Sequence, residues 1–131
     1  MGRFLGKIVG NQKERFSVRK KNYKGRCEKR TLSKCKDVCR TYDPIQYAYA
    51  DILEKDSEVR EIKCNVVLSG DEESEYMTDF LCVKIDNDMF VRECVSRKHL
   101  TKPLTVKLLD MSKGYWERNG VTDWGIVIDE E

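Results

Sequence analysis

The sequence lacks an apolar run long enough to cross a lipid bilayer, and it lacks the features of a secretory signal. The apolar stretches around Phe4 and Ile8 are short and are broken by glycine and charge. Histidine occurs once, at His99, and a single histidine is more typical of a surface or packing residue than of a catalyst. Six cysteines in a lysine-rich chain without a secretory signal are typical of a reducing compartment. We therefore expect a cytoplasmic protein without a disulfide framework.

The cysteine spacing does not match a structural zinc site. Seven residues separate Cys27 from Cys35 and three separate Cys35 from Cys39, whereas structural zinc needs paired short spacings and four ligands. His99 is far along the chain from these three cysteines. The other cysteines fall in predicted strands, where a cysteine packs as a small buried hydrophobe; they are Cys64, Cys82 and Cys94. The spacing therefore does not favour zinc.

Charge is divided unevenly along the chain. Residues 1–40 contain 14 Lys and Arg against three acidic residues, a net +11, whereas residues 41–131 contain 11 basic and 20 acidic residues, a net −9. We therefore divide the chain into a basic N-terminal arm, residues 1–40, and one domain, residues 41–131. Basic side chains bind nucleic acid by neutralising phosphates and releasing counterions. The predicted DNA-binding residues surround Tyr23 and are Arg19, Lys20, Lys21, Lys24 and Arg26. The alternative is a tail that only solubilises the chain or folds back on its acidic half.

The apolar pattern of residues 41–131 predicts an α/β fold with a mixed central sheet flanked by helices. Asp43 is a good N-cap residue and Pro44 suits the first helical position, so the first helix is expected over residues 44–55. The inward side of this helix is predicted to consist of Ile45, Tyr49 and Ile52, with Ala48 beside them.

The remaining elements follow from alternation and helical periodicity. Alternating apolar residues predict a strand over residues 59–68, a hairpin over residues 77–95 and a final strand over residues 121–129. A second helix is expected from about residue 101 or 103 to about residue 118, with an apolar stripe of Leu104, Leu108, Met111 and Tyr115. The predicted order is helix, strand, hairpin, helix, strand.

The hairpin carries one carboxylate near each outer end, at Asp79 and Glu93. A two-residue turn would direct these side chains to opposite faces, whereas a three-residue turn over residues 86–88 would pair Ile85 with Met89 and put both acids on one face. Asn and Asp tolerate the left-handed conformation that such a turn needs, which makes the second register chemically reasonable. Two carboxylates on one face suit Mg²⁺ or Mn²⁺. The alternative is that acids near strand ends face solvent.

An ordered series of segments resembles the TnsA-type transposon endonucleases, which have the PD-(D/E)xK nuclease fold. The resemblance is to their N-terminal catalytic domain and covers about residues 40–131. It implies a restriction-endonuclease-like α/β domain that uses Mg²⁺ or Mn²⁺ to cut one DNA strand at each transposon end, with a separate transposase subunit and an ATP-dependent regulator as partners. The matching segments are residues 44–59, 78–80, 100–103, 115–116 and 124–128, together with the second hairpin strand.

The resemblance also assigns site residues. The family's central aspartate falls on Asp79 and its second acidic position on Glu93, and these two would hold the metal. The glutamate of the first helix falls on Gln46, with Asp43 as the nearest carboxylate; an amide carries no charge and coordinates weakly. A metal held in this way lowers the pKa of a bound water and neutralises charge on the scissile phosphate.

The lysine that normally positions the attacking water is missing, because the position two residues after Glu93 is Val95. Three other lysines are alternatives. Lys98 would point to the wrong face of a continuing strand, and Lys113 should face solvent. Lys107 flanks the predicted stripe of the second helix and is therefore predicted as the catalytic lysine, with a purely structural role at the helix edge as the alternative.

Two hypotheses therefore follow from the sequence. The first is a metal-dependent DNA endonuclease within a transposase complex, and the second is a nuclease-fold subunit with weakened chemistry that binds DNA or a partner. Asp79 and Glu93 favour the first, and Gln46 and Val95 favour the second. A Holliday-junction or restriction-type nuclease of the same fold is a third possibility.

Overall fold

The computed structural model describes residues 26–68 and 76–129, which form an α/β domain. The predicted order of helix, strand, hairpin, helix, strand is confirmed, and a short two-stranded sheet precedes it. Within the described ranges, no helix combines the length and apolar character needed to cross a membrane. The elements are β1 (Glu28–Arg30), β2 (Cys39–Thr41), α1 (Pro44–Lys55), β3 (Val59–Val67), β4 (Met77–Lys84), β5 (Met89–Val95), a 3₁₀ turn (Arg97–His99), α2 (Pro103–Arg118) and β6 (Asp123–Ile128).

The main sheet has four strands in the order β3-β4-β5-β6. The pairs β3–β4 and β4–β5 are antiparallel, and β6 adds parallel to β5 after the crossover through α2. Two apolar clusters form the core. The first packs α1 and the β1–β2 segment against the sheet around Phe80 and Leu53, and the second packs α2 against it around Leu81 and Trp116. The sheet is therefore mixed and flanked by helices, as predicted.

Helix α1 begins as predicted, but its inward face differs from the predicted stripe. The Asp43 side chain caps the helix by accepting a 2.8 Å hydrogen bond from the backbone N–H of Gln46. The buried residues are Gln46, Ala50 and Leu53, whereas Ile52 is 58% exposed. Ile45 and Tyr49 pack against the first core cluster as predicted, so the prediction is wrong only for Ile52 and Ala48, and the buried Gln46 occupies an inward position that an apolar stripe does not include.

In helix α2, three residues of the predicted stripe contact the second core cluster as expected, namely Leu108, Met111 and Tyr115, but Leu104 is not part of the buried face. Its buried residues are Leu108, Leu109, Ser112 and Trp116, and Leu104 is 45% exposed. The polar Ser112 faces inward, so the true inward face lies to one side of the predicted stripe. This arrangement leaves Lys107 exposed, on the side of the helix away from its buried residues. The expectation that Lys107 turns towards the sheet is therefore wrong.

The β4–β5 turn lies one position earlier than the three-residue turn predicted from sequence. The backbone N–H of Lys84 donates to the carbonyl of Asp88, so residues 85–87 form the turn, and Asn87 adopts a left-handed φ of 74°. The strands pair Val83 with Met89 instead of Ile85 with Met89. The last paired residues are Phe80 and Arg92, one residue before Asp79 and Glu93. The paired residues Leu81 and Val91 both pack in the cluster with α2, and each acid lies two residues further along its strand, so the expectation that the two acids lie on one face still holds.

Part of the basic arm belongs to the folded domain. Leu32 and Cys39 are buried in the first core cluster, and the N–H of Ile62 in β3 donates to the carbonyl of Lys34 at 2.9 Å. The predicted boundary at residue 40 therefore falls inside β2. Four of the predicted DNA-binding residues lie outside the described ranges: Arg19, Lys20, Lys21 and Lys24. The fifth, Arg26, is exposed.

Candidate functional site

Asp79 lies in β4, in the interior of the sheet, and has no exposed surface. Its Oδ2 accepts a 2.7 Å hydrogen bond from the backbone N–H of Cys94 in β5. The carboxylate therefore connects two neighbouring strands. Burying a carboxylate is costly unless donors of this kind replace its water shell, so this bond is needed to keep Asp79 inside the fold.

Glu93 in β5 is also fully buried, and it makes connections to two other elements. Its Oε1 accepts a 3.1 Å hydrogen bond from the N–H of Asp79, and its Oε2 accepts a 2.7 Å bond from the hydroxyl of Ser112 in α2. The Ser112 oxygen in turn accepts a 3.0 Å bond from the indole N–H of Trp124 in β6. We call Asp79 and Glu93 the acid pair. Together with Ser112, it joins β4, β5, α2 and β6 in one buried network.

Aromatic side chains surround the acid pair. Burial, and next the negative charges of Glu93 and Asp79, raise the pKa of Tyr76 well above its ordinary value. Nearby, the indole N–H of Trp116 donates a 2.7 Å hydrogen bond to the Thr78 hydroxyl, which fixes α2 against the start of β4. The surroundings are therefore dry and well packed, unlike an open cleft that admits a nucleic-acid backbone.

The acid pair as folded does not suit Mg²⁺. That ion requires near-octahedral oxygen coordination and usually keeps several of its own waters. At least three of the four carboxylate oxygens accept hydrogen bonds from the protein itself, and neither side chain has any surface accessible to water. A hydrated metal ion would have to displace Ser112 and the backbone donors before it reached both carboxylates.

Gln46, the position that the resemblance assigns to a metal ligand, belongs to a different network. Its Oε1 accepts a 2.9 Å hydrogen bond from the N–H of Tyr42, and its Nε2 donates at 3.0 Å to Oδ1 of Asn65. Asn65 has a left-handed φ of 56°, and its Nδ2 donates to the carbonyl of Arg40. Gln46 thus fastens α1 to β2 and β3, while the acid pair contacts α2.

The lysine candidates are exposed, whereas the acid pair is fully buried. Val95 occupies the usual lysine position and is 3% exposed, so an aliphatic side chain fills that place in the core. Lys107 is exposed on α2, as are Lys98 and Lys113 at their positions.

The acid pair was predicted from the sequence, but its burial was not, because burial depends on α2 covering it. The inward position of Ser112 was not predicted either. The signal that could have indicated it is that Ser112 lies one helical turn after Leu108 and therefore on the same face of α2.

A second cluster of chemically reactive side chains was missed from sequence. Over residues 26–68 and 76–129, the group that brings together three potential metal ligands consists of Cys35, Cys39 and Cys64, whose sulfur atoms all lie within 4.8 Å of one another. Cys27 is not in this group. In the sequence, Cys27, Cys35 and Cys39 form a group because they are close along the chain. In the fold, the third member of the cluster is Cys64, which lies in β3.

Comparison of the sequence with protein-family models and with curated proteins found no match.

Proposed function

We propose that this chain is a DNA-binding subunit with a nuclease-type fold, in which the acid pair stabilises the sheet instead of cutting DNA. The observation that carries the proposal is the complete burial of Asp79 and Glu93, combined with their hydrogen bonds to Cys94, Asp79 and Ser112. Groups that coordinate a hydrated metal and a phosphodiester need access to solvent, and these groups have none.

Two further features support a loss of nuclease chemistry. The position of the usual lysine holds Val95, which can neither hold a water nor stabilise developing charge. The position of the usual helix glutamate holds Gln46, which is neutral and committed to Tyr42 and Asn65. All four positions that such an active site needs are thus either replaced, as at Gln46 and Val95, or buried and hydrogen-bonded within the fold, as at Asp79 and Glu93.

The charge distribution supports DNA as the partner. Residues 1–40 carry a net +11, and the described part of that arm presents exposed basic side chains beside the sheet. Such side chains bind phosphates without base specificity and give a strong salt dependence. By the resemblance to TnsA-type proteins, we further propose a transposase subunit and an ATP-dependent regulator as protein partners. The exposed residues of the described arm are Arg26, Lys29, Lys36 and Arg40.

A metal-dependent endonuclease is the second candidate. The observation in its favour is that Asp79 in β4 and Glu93 in β5 lie close together and are linked by a hydrogen bond from Asp79 N–H to Glu93 Oε1. The mixed sheet between two helices agrees with the restriction-endonuclease-like architecture that the resemblance implies. On this second candidate, Asp79 and Glu93 would hold Mg²⁺ or Mn²⁺, and the ion would require Glu93 to give up its hydrogen bond from the Ser112 hydroxyl.

The two candidates differ in a paired binding and nicking experiment. Binding of labelled duplex DNA is measured over a series of salt concentrations, and nicking of supercoiled DNA is measured with Mg²⁺ or Mn²⁺, for wild type and Asp79→Asn. The first candidate predicts salt-dependent binding that is equal in both proteins and no nicking by either. Divalent-dependent nicking by wild type that Asp79→Asn loses would instead establish the endonuclease.

A charge-reversal variant tests whether the arm carries the binding. Lys29→Glu is expected to weaken DNA binding and to lower the slope of log affinity against log salt by about one unit, since one phosphate contact contributes roughly that much. Lys113→Glu, which changes an exposed lysine on α2, is the matched control and should leave the slope unchanged. Equal losses in the two variants would contradict the assignment of the arm.

A further inference from the structure

Three thiols from separate parts of the chain meet at the junction between the basic arm and the sheet. Cys35 follows a turn in which its N–H donates to the carbonyl of Leu32, Cys39 begins β2, and Cys64 lies in β3. The Cys64 and Cys39 sulfurs are 2.8 Å apart, and the Cys35 and Cys64 sulfurs are 4.0 Å apart. We call Cys35, Cys39 and Cys64 the thiol triad.

Backbone and side-chain hydrogen bonds hold the triad together independently of the sulfurs. On one side of Cys64, the N–H of Ile62 donates to the carbonyl of Lys34, and on the other side the Asn65 side chain donates to the carbonyl of Arg40. These bonds fasten the chain segments before and after Cys35 and Cys39 to β3. The convergence of the three thiols is thus built into the packing of the arm on the sheet.

We propose that the thiol triad is a zinc-binding site that fastens the basic arm to the sheet. Zinc takes thiolate ligands at about 2.3 Å in tetrahedral geometry, which sets sulfur-to-sulfur distances of about 3.8 Å. The Cys35–Cys64 separation already matches this value. Cys39 and Cys64 would move apart by about 1 Å to admit the ion.

The fourth ligand comes from the pocket beside the triad. A pocket of about 230 Å³ is bordered by Cys35 and Cys64 and also by the carboxyl-bearing residues Asp37 and Glu61. A water held in this pocket completes a tetrahedral site, since the group of ligand atoms that lie within 4.8 Å of one another contains the three sulfurs and neither carboxylate. Lys36 and Lys63 line the same pocket and offset the negative charge that three thiolates bring to a divalent ion.

The exposure of the three thiols leaves an ion a route to the site. Cys39 is fully buried, while Cys35 and Cys64 are half-buried and border the pocket, so an ion can reach the triad from the pocket side.

Titration of the full-length, reduced, metal-free protein with Co²⁺ tests the proposal. The site predicts sulfur-to-cobalt charge-transfer absorption that saturates at one ion per chain and disappears when Zn²⁺ is added. Cys35→Ser is expected to weaken Co²⁺ binding by more than about 100-fold. Mutating a residue that only hydrogen-bonds to a metal ligand lowers the affinity by roughly 10- to 100-fold, and this variant removes a ligand itself. Cys64→Ser should do the same, and Cys27→Ser, outside the triad, should bind as wild type does.

A second measurement keeps the test independent of folding defects in the variants. Zinc that binds the native triad raises the unfolding temperature of wild type and of Cys27→Ser, and leaves that of Cys35→Ser unchanged. Absence of charge-transfer absorption in wild type, or its persistence in both Cys35→Ser and Cys64→Ser, would overturn the proposal. Formation of a Cys39–Cys64 disulfide in air by a protein that takes up no metal when reduced would overturn it as well.

Discussion

Removing the Asp79 carboxylate should destabilise the fold even though the residue resembles a catalytic one. In Asp79→Ala, the backbone N–H of Cys94 loses the acceptor that now lies 2.7 Å away in a fully buried place. An unsatisfied buried N–H costs about 1–3 kcal/mol, and for a domain of this size each kcal/mol lowers the melting temperature by roughly 4 °C. We therefore expect a decrease of about 4–12 °C. Asp79→Asn keeps an acceptor oxygen and should lie between the two proteins.

The assay is thermal unfolding followed by circular dichroism, with and without millimolar Mg²⁺. The control is Asp110→Ala, which removes an exposed carboxylate from α2 and should change stability by no more than about 0.5 kcal/mol. Mg²⁺ should leave every melting temperature unchanged, because the acid pair has no surface open to the ion. The reasoning is refuted if Asp79→Ala melts with wild type, or if Mg²⁺ stabilises wild type and not Asp79→Ala.

Two other buried or hydrogen-bonded groups give further predictions. Gln46→Glu introduces the acid that the resemblance expects and should lower the free energy of unfolding by about 1–3 kcal/mol at neutral pH, because a carboxylate oxygen would face the Asn65 oxygen that now accepts from Gln46. Acidification should recover part of this stability, which urea denaturation at two pH values would measure. Hydrogen bonds from Ser33 lower the pKa of Glu54 below its ordinary value, so the stabilisation that Glu54 contributes is present above that ordinary pKa and is lost as pH falls through the lowered pKa. Glu54→Gln should therefore melt below wild type at pH 7 and approach it under acid conditions, whereas the exposed control Glu117→Gln should follow wild type throughout.

Local signals in the sequence were sufficient to locate the main elements. Helix α1 has the predicted bounds because Asp43 and Pro44 act within one turn of its start, and Asp43 does accept the capping hydrogen bond from Gln46. Strand β3 differs from its prediction by one residue at its end. Alternation and capping depend on neighbours along the chain, so they can be recognised without knowledge of the tertiary fold.

Interactions between distant segments account for what was missed. The inward faces of both helices include a polar residue, Gln46 in α1 and Ser112 in α2, whose partners are distant in sequence. A stripe built only from apolar residues therefore differs from the true face, and this error made Lys107 a candidate. The thiol triad escaped for the same reason, because Cys64 is separated by a helix from Cys35 and Cys39.

Anomalous diffraction from crystals soaked in Mn²⁺ distinguishes a structural acid pair from a metal-binding one. The structural role is that of hydrogen-bond acceptors, in which the carboxylates of Asp79 and Glu93 are held by Cys94, Asp79 and Ser112. It predicts no manganese peak between the two side chains and an intact Ser112–Glu93 hydrogen bond. A manganese ion at about 2.0–2.4 Å from both carboxylates, with Ser112 displaced, would contradict it.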